Sequence, residues 1–238
     1  QVWAMSATIG NINEAGRIIT GIKGENPTII KSDLKKTLEL KSIIPKDIGT
    51  LPWSGHLGLR SHKYLLEEIE KNKSTLFFTN TRSQSEKWFQ CLKFYYPEMG
   101  NKIAIHHGSM DKDDRRNVEE GVKCGEIRWV ICTSSLDLGV DFQPVEQIVQ
   151  IGSPKNLARL IQRAGRSSHK PGGKSKLIFM PTNSLELIEL SAMRRIIYTD
   201  IVEEINLPEL SFDVLLQHLI SLACGWGFDP KVEKENIK

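Results

Sequence analysis

Cysteine is scarce in this sequence, and the few cysteines stand far apart. There are four in 238 residues, with no Cys-x-x-Cys pair and no histidines at a matching metal-ligand spacing. The sequence therefore predicts neither a zinc site nor a disulfide framework. We expect reduced thiols that lie mostly in the core, as in a cytosolic protein, at Cys91, Cys124, Cys132 and Cys224.

Long apolar runs and a charged-then-apolar leader are also missing. No run of apolar residues approaches the length of a membrane span. With 39% hydrophobic and 26% charged residues, the sequence predicts a folded protein of one to two domains in the cytoplasm. Because the chain begins with Gln1 and not with Met, we expect it to be a piece of a longer protein.

The motifs that hold phosphates and Mg²⁺ in many nucleotide hydrolases are not found. The sequence has no Gly-x-x-x-x-Gly-Lys-Ser/Thr loop and no Asp-Glu-x-His box. Two short glycine-lysine pieces, residues 21–24 and 172–175, lack the required spacing, and we interpret both as turns. The chain by itself is therefore not expected to hydrolyse a nucleotide.

Positive charge is modest overall but concentrated in one segment. The formal net charge is only +3, yet seven Lys/Arg residues and no Asp or Glu lie between Lys155 and Lys176. Within this run, residues 162–169 read Gln-Arg-Ala-Gly-Arg-Ser-Ser-His and place two arginines on a short helical turn. The cluster predicts a surface that faces a polyanion, where a guanidinium can neutralise charge on a phosphoryl group.

Strand-like apolar segments alternate with segments of helical periodicity. This alternation predicts an α/β fold with a parallel sheet and right-handed crossovers. The predicted strands are 37–44, 75–80, 102–107, 128–133, 147–151 and 176–180. The predicted helices are 11–21, 84–95, 112–123, 156–166, 185–198 and 211–224, with Ser83 and Asp111 as candidate N-caps.

Small polar residues follow four of the predicted strands. They occupy residues 79–82, 107–109, 133–135 and 152–154. In an open parallel sheet, ligands gather at the carboxyl ends of the strands. The sequence therefore predicts a ligand-binding edge built from these four segments.

Three segments of the sequence together resemble motifs of a known family. Residues 5–8, 133–141 and 162–169 resemble motifs III, V and VI of superfamily 2 helicases, in that order. The chain is most similar to the large helicase-related (Lhr) group of DExH-box enzymes, and in particular to its bacterial ligase-associated branch. That similarity includes residues 106–109, 133–136 and 152–155, and the resemblance extends over about residues 2–223.

The resemblance implies a fold and a division into segments. The implied fold is a three-layer RecA-like parallel sheet with helices on both faces, followed by the start of a helical or winged-helix segment. Residues 1–25 would end the first motor lobe, with Ser6 and Thr8 in motif III, and 26–60 would form a linker and entry strand. Residues 61–183 would be the second RecA-like lobe, and 184–238 a connecting helix and the start of a winged-helix domain.

The resemblance also implies an activity for the parent protein. It would be an ATP-dependent DNA helicase that moves 3′ to 5′ and acts in DNA repair, with ATP and Mg²⁺ held mainly by the first RecA-like lobe. The implied partners are single-stranded or tailed duplex DNA, that first lobe, and a DNA ligase and nuclease, with no membrane. The implied location is the bacterial cytosol or nucleoid.

Motif VI implies the catalytic residues. Arg166 matches the finger arginine, Gln162 matches a residue that organises the same pocket, and Arg163 matches a position that braces the interface. Many superfamily 2 helicases have a second arginine at the position of His169. Lhr proteins generally have a histidine there, as this sequence does.

Motif V implies residues that approach the nucleotide. Gly139 and Asp141 match positions near the ribose, and with Arg166 and His169 they make up the predicted cofactor-binding set. Asp137, in the same motif, receives no assignment.

Nucleic-acid contacts are predicted at the strand ends. Small hydroxyls and backbone N–H groups suit phosphate oxygens, so binding should be sequence-independent and sensitive to salt. His106 and His107 are not expected to share a metal ion, because adjacent strand residues point to opposite faces. The predicted contact residues are Thr79, Arg82, His107, Gly108, Ser109, Thr133 and Ser134.

Two other functions fit the same sequence. One is a nucleic-acid-binding domain that keeps the helicase fold for docking and has no catalytic role. The other is an RNA-dependent ATPase, since phosphate contacts do not separate RNA from DNA. Trp53 and Trp226 are candidates for base stacking or for the core, and we predict the core.

Overall fold

The chain forms two compact units, Gln1–Glu204 and Ile205–Lys238. A computed structural model describes residues 3–6, 8–20, 27–31, 37–46, 49, 51–53, 55, 57–137, 145–167, 174–197, 199 and 211–237. No helix within these residues is both long enough and apolar enough to cross a membrane.

The described part of the first unit is built on one parallel sheet. Its six strands lie in the order β1-β6-β5-β2-β4-β3, and every neighbouring pair is parallel. This confirms the predicted parallel α/β fold. The strands are β1 (Thr37–Ser42), β2 (Thr75–Phe78), β3 (Ile103–His106), β4 (Trp129–Cys132), β5 (Gln147–Ile151) and β6 (Lys174–Met180).

The residues that the structure describes contain eight α-helices. In the first unit they are α1 (Ile12–Thr20), α2 (His62–Glu68), α3 (Arg82–Tyr95), α4 (Lys112–Lys123), α5 (Leu157–Ala164) and α6 (Leu185–Ile196). In the second unit they are α7 (Phe212–Cys224) and α8 (Pro230–Ile237).

Alternate strand residues bury their side chains on opposite faces of the sheet, as a period of two requires. On one face, Phe77 packs in a cluster with Leu65 of α2 and Trp88 of α3. On the other face, Phe78 packs in a second cluster with Leu160 of α5, and α6 joins the same cluster. The first unit therefore has three layers, with helices on both faces of the sheet, as predicted.

The helix boundaries agree with the predictions to within a few residues, but one cap does not. Thr81, and not Ser83, is the N-cap of α3, and its side chain accepts a hydrogen bond from the Gln84 amide. Ser83 was the wrong choice because the helix begins at Arg82, which places Ser83 inside the first turn. Asp111 is the N-cap residue of α4, although no capping hydrogen bond to its side chain is observed.

The described residues near the start of the chain form no strand. The opening sequence Gln-Val-Trp-Ala-Met, residues 1–5, is strand-like, but residues 3–6 lie outside the sheet in the structure. Trp3 and Met5 are 84% and 98% exposed. Because an isolated extended segment has no ladder partners and buries little apolar surface, its β-prone residues alone do not make it a strand.

Several residues predicted to be in the core lie on the surface. Only Cys132 of the four free cysteines is buried, whereas Cys91 is half-buried and Cys124 and Cys224 are exposed. Trp53 is 79% exposed, and Trp226 is fully exposed. Cys91 lies within α3 and Cys224 is the last residue of α7, whereas Cys124, Trp53 and Trp226 lie outside the helices and strands.

α7 and α8 lie in the second unit. No residue of α7 is buried, although its sequence is rich in apolar residues. The winged-helix assignment and the predicted segment boundaries remain predictions. α6 belongs with the sheet, because Leu190 and Met193 pack in the core of the first unit.

We predict different stabilities for two matched tryptophan substitutions. Both rings are fully buried, but Trp88 Nε1 donates to the Leu57 carbonyl at 2.7 Å, whereas Trp129 Nε1 has no hydrogen-bond partner among the residues that the structure describes. Trp88→Phe should lower the free energy of unfolding by about 1 to 2 kcal/mol more than Trp129→Phe, because it leaves that carbonyl unpaired while the lost volume is the same. Urea titration followed by far-UV circular dichroism measures the difference, and equal losses would contradict the prediction.

Candidate functional site

The candidate site lies where the parallel strands end. β2, β4, β5 and β6 run the same way, so the loops that follow them meet at one edge of the sheet. Asn80, after β2, donates from Nδ2 to the Ser153 carbonyl after β5 at 2.8 Å. This bond ties two of the four predicted polar segments together.

A buried carboxylate joins two of the loops at the same edge. Glu186 of α6 accepts hydrogen bonds from the amides of Ser153, at 2.9 Å, and Thr182, at 2.6 Å. Gly152 has φ +76, and a Cβ there would lie 3.3 Å from both Asn80 Nδ2 and Glu186 Oε1. The loop after β5 therefore needs a glycine in order to pack against its neighbours.

Arg163 lies inside the lobe, with 1% of its surface exposed. Its Nε donates to Asp137 Oδ1 at 2.8 Å, its Nη2 to Asp137 Oδ2 at 3.3 Å, and its Nη1 to Gln150 Oε1 at 2.6 Å. The guanidinium also lies over the ring of Phe78, with 4.7 Å to the centroid. The positive charge of Arg163 and these N–H donors are therefore paired with groups of the same lobe.

Arg166 lies nearby but is bound differently. Its Nε and Nη2 both donate to the backbone carbonyl of Asp137, at 3.2 and 2.9 Å. The side chain is half-buried. Two arginines of the predicted motif VI therefore converge on one residue of the predicted motif V, one on its carboxylate and the other on its carbonyl.

Asp137 receives a third arginine at longer range. Arg159 Nε lies 3.6 Å from Asp137 Oδ2, and this arginine is 40% exposed. Residues 159 and 163 are one helical turn apart, so they share a face of α5. The sequence analysis assigned no role to Asp137. The spacing of Arg159 and Arg163, on the helix that follows the next strand, could have indicated a shared acidic partner.

Gln162 connects the predicted motif VI with the predicted motif III, which lies far away in the sequence. Its Nε2 donates to the hydroxyl of Thr8 at 2.7 Å. Thr8 belongs to the predicted motif III, whereas Ser6 of the same motif is exposed. The contact brings the start of the chain to α5.

Three of the predicted cofactor-binding residues lie outside the described residues: Gly139, Asp141 and His169. Their assignments remain predictions. Of that predicted set, Arg166 alone can be placed.

Thr79 does not present its side chain to solvent. It is fully buried, and its hydroxyl bonds with Ser85 Oγ at 2.6 Å and donates to the Cys132 carbonyl at 3.1 Å. The predicted contact between this side chain and a nucleic-acid strand does not fit that geometry. Thr79 joins β2, β4 and α3 instead.

The two adjacent histidines have separate partners. His106 Nδ1 is 2.8 Å from Ser135 Oγ, and its Nε2 is 3.2 Å from Glu119 Oε1. Burial lowers the pKa of His106 more than the Glu119 carboxylate raises it, so the ring is mostly neutral at pH 7. His107, also buried, accepts a bond from the Ser109 amide at its Nδ1, at 3.3 Å.

The other predicted contact residues are accessible. Arg82, Gly108, Ser109 and Ser134 are exposed, and Thr133 is half-buried. They follow β2, β3 and β4, at the same edge of the sheet as the loop after β5. This arrangement offers N–H and hydroxyl donors to an extended anion.

A family model describes part of the chain. Residues 60–170 match the helicase conserved C-terminal domain. The match includes β2 to β5 and α2 to α5, and so contains the edge with the arginine cluster.

Two helicase relatives match most of the chain. An ATP-dependent helicase Lhr-Core from Methanocaldococcus jannaschii is 36% identical over 94% of this chain and 26% of its own length. The Lhr helicase/uracil glycosylase of Escherichia coli is 30% identical over 67% of this chain and 12% of its own. The chain thus spans about a quarter or less of these two relatives.

A solved structure shares both fold and sequence. The Mycobacterium smegmatis helicase Lhr, bound to ssDNA and AMP-PNP, superposes with a TM-score of 0.79 at 28% identity. The alignment covers 92% of this chain and 29% of that protein. The chain belongs to the Lhr group of superfamily 2 helicases, and residues 60–170 are its helicase conserved C-terminal domain.

Proposed function

We propose that this chain is the second motor lobe of a longer ATP-dependent DNA helicase of the DExH type, which moves 3′ to 5′ along DNA. The observation that carries the proposal is the pair of arginines held by Asp137 at the carboxyl edge of the sheet. In support, the archaeal relative is named an ATP-dependent helicase, and the mycobacterial structure contains ssDNA and AMP-PNP.

Arg166 would be the arginine finger. Two of its N–H groups donate to the backbone carbonyl of Asp137, and these bonds orient the guanidinium at the edge of the sheet. A cation fixed at this edge can stabilise the charge that builds up on transferring phosphoryl oxygens. Gln162 would organise the same pocket, and its bond with Thr8 offers a link to the first lobe.

Arg163 would be a positioning residue and not a group that touches the nucleotide. Its guanidinium is buried and bonded to Asp137 and Gln150. Because Arg166 bonds the carbonyl of the same Asp137, loss of the buried pair should displace the finger. Gly139, Asp141 and His169 would complete the nucleotide side.

ATP and Mg²⁺ would be held mainly by the first lobe. This sequence has no phosphate-binding glycine loop and no Asp-Glu-x-His box. The described arginines fit an anionic triphosphate, whereas Mg²⁺ requires oxygen ligands. The isolated chain should therefore bind ATP weakly and hydrolyse none.

The residues predicted to contact a strand, with the exception of Thr79, would bind the DNA backbone. Their amides and hydroxyls suit phosphate oxygens and cannot distinguish bases. The preferred substrate would be single-stranded or tailed duplex DNA. Thr79 would support this surface from within, and the contact residues would be Arg82, His107, Gly108, Ser109, Thr133 and Ser134.

The cellular role is proposed from family resemblance alone. It would be DNA repair in the bacterial cytosol or nucleoid, beside a DNA ligase and a nuclease. Co-purification of the native full-length protein with either enzyme tests this part of the proposal.

Two alternatives remain distinguishable by experiment. A docking domain would bind single strands without any response to ATP or to the first lobe. An RNA-dependent ATPase would be stimulated more by RNA than by DNA of matched sequence, because its site would have to recognise the 2′-hydroxyl.

Arg166→Ala in the full-length protein should abolish DNA-stimulated ATP hydrolysis. We expect kcat to fall roughly a thousandfold or more, the range typical of an arginine finger, while single-strand affinity stays unchanged. The measurement is steady-state ATPase activity with and without DNA. Arg195→Ala is the matched control, since Arg195 is an exposed arginine on α6. Unchanged turnover in Arg166→Ala would remove the finger role.

Asp137→Ala should destabilise the lobe and slow hydrolysis together. Removing one partner of a buried ion pair leaves Arg163 uncompensated, at a cost of roughly 3 to 5 kcal/mol. Arg159→Ala removes only a 40% exposed partner of the same carboxylate, at 3.6 Å, and should cost less than about 1 kcal/mol. Chemical denaturation of both variants measures the contrast, and equal costs would contradict the inward role of Arg163.

A further inference from the structure

A cleft of about 560 Å³ lies between the start of α2 and the outer face of α3. It is lined by Arg60 and His62 on one side and by Lys87, Cys91, Phe94 and Tyr95 on the other. None of these residues belongs to the strand-end edge described above. Its volume lies within the range of sites that hold small molecules or single side chains and bases.

The α3 side of the cleft is a second stripe on a helix that already faces the core. Trp88 and Leu92 are buried against the sheet. Lys87, Cys91 and Phe94 follow one another at spacings of four and three, so they form a separate outward row. α3 thus carries an apolar surface on the side away from the core.

Two aromatic rings that line the cleft are exposed and contact each other. Phe94 is 77% exposed and Tyr95 is 50% exposed. The Tyr95 ring stacks on His62, with centroids 4.2 Å apart and planes at 22°, and meets Phe94 edge to face at 5.1 Å. The His62 ring covers one face of Tyr95, and the Phe94 and Tyr95 rings together present an aromatic surface to solvent.

The charges beside these rings are positive. Arg60 and Lys87 line the cleft and are exposed, and no Asp or Glu is among the described residues that line it. Burial raises the pKa of the Cys91 thiol, so this group is neutral at pH 7. The lining therefore favours an anionic ligand with a planar, apolar part.

We propose that this cleft is a second binding site for single-stranded DNA, in which a base stacks on Phe94 and Tyr95 while Arg60 and Lys87 bind the flanking phosphates. The proposal rests on the proposed function, since the ligand is the strand that the motor would move. Alternating aromatic and cationic groups are typical of proteins that bind single strands without sequence preference.

α3 connects this cleft to the strand-end edge. The helix begins at Arg82, a predicted strand contact, and reaches Phe94 twelve residues later. At 1.5 Å per residue the two are about 18 Å apart along the helix axis. Lys87 lies between them, so a strand that leaves the edge can follow the outer face of α3. The cleft would hold a segment of the DNA strand that lies beyond the strand-end edge, and it would slow the release of that strand.

Binding of fluorescent oligothymidylates of about 6 and about 20 nucleotides to the full-length protein tests the site. Phe94→Ala should weaken binding of the long oligonucleotide about tenfold and leave binding of the short one unchanged. Phe94→Trp should retain the affinity, because an indole also stacks. Lys87→Ala should reduce the slope of log Kd against log salt by about 0.7, the value for one phosphate contact on a single strand.

Two control variants separate this site from general surface effects. Ile188→Ala removes a side chain that is 70% exposed on α6, and Arg195→Ala removes a cation from the same helix. Neither should change binding of either oligonucleotide.

The outcomes separate this inference from the proposed function. If Phe94→Ala binds the long oligonucleotide as tightly as the unaltered protein, the second site is overturned while the motor function stands, and an acidic peptide becomes the better occupant. If the unaltered protein binds neither oligonucleotide, the proposed function fails first, and this inference fails with it.

Discussion

The buried guanidinium of Arg163 is the constraint on which the candidate site depends. A charge with 1% exposure is costly to remove from water unless its donors and its charge are compensated. Asp137 supplies a carboxylate, Gln150 an amide oxygen, and Phe78 a ring face. Gln150 lies in β5, Phe78 lies in β2, and Asp137 lies in the turn after β4, so one side chain of α5 holds two strands and the turn after a third in fixed relative positions.

This requirement explains why the loop ends at the carboxyl edge are so closely bonded. Because Asp137 must stay in reach of Arg163, the turn after β4 cannot move independently of α5. Asn80 and Glu186 add bonds among the loops after β2, β5 and β6. An edge with few ways to rearrange can hold phosphate-binding groups in fixed positions, which is how preorganised electrostatic sites work.

The sequence was sufficient for the architecture but not for the roles of single polar groups. Alternating apolar segments predicted the parallel sheet, and β5 and α4 have the bounds expected from the sequence. Thr79 was predicted to contact DNA, yet its hydroxyl bonds within the lobe. Periodicity identifies which face is apolar, but it does not show which neighbour a buried hydroxyl will find. For the same reason, Thr81 was missed as the cap of α3.

The two motif VI arginines show how far identical side chains can differ. Arg163 and Arg166 are three residues apart, and both bond Asp137. Arg163 is buried and donates to the carboxylate of Asp137, while Arg166 is half-buried and donates to its backbone carbonyl. The motif alone does not show which of its two arginines will be structural. The neighbouring strands and the turn after β4 determine it, because Arg163 is buried against the sheet and Arg166 is not.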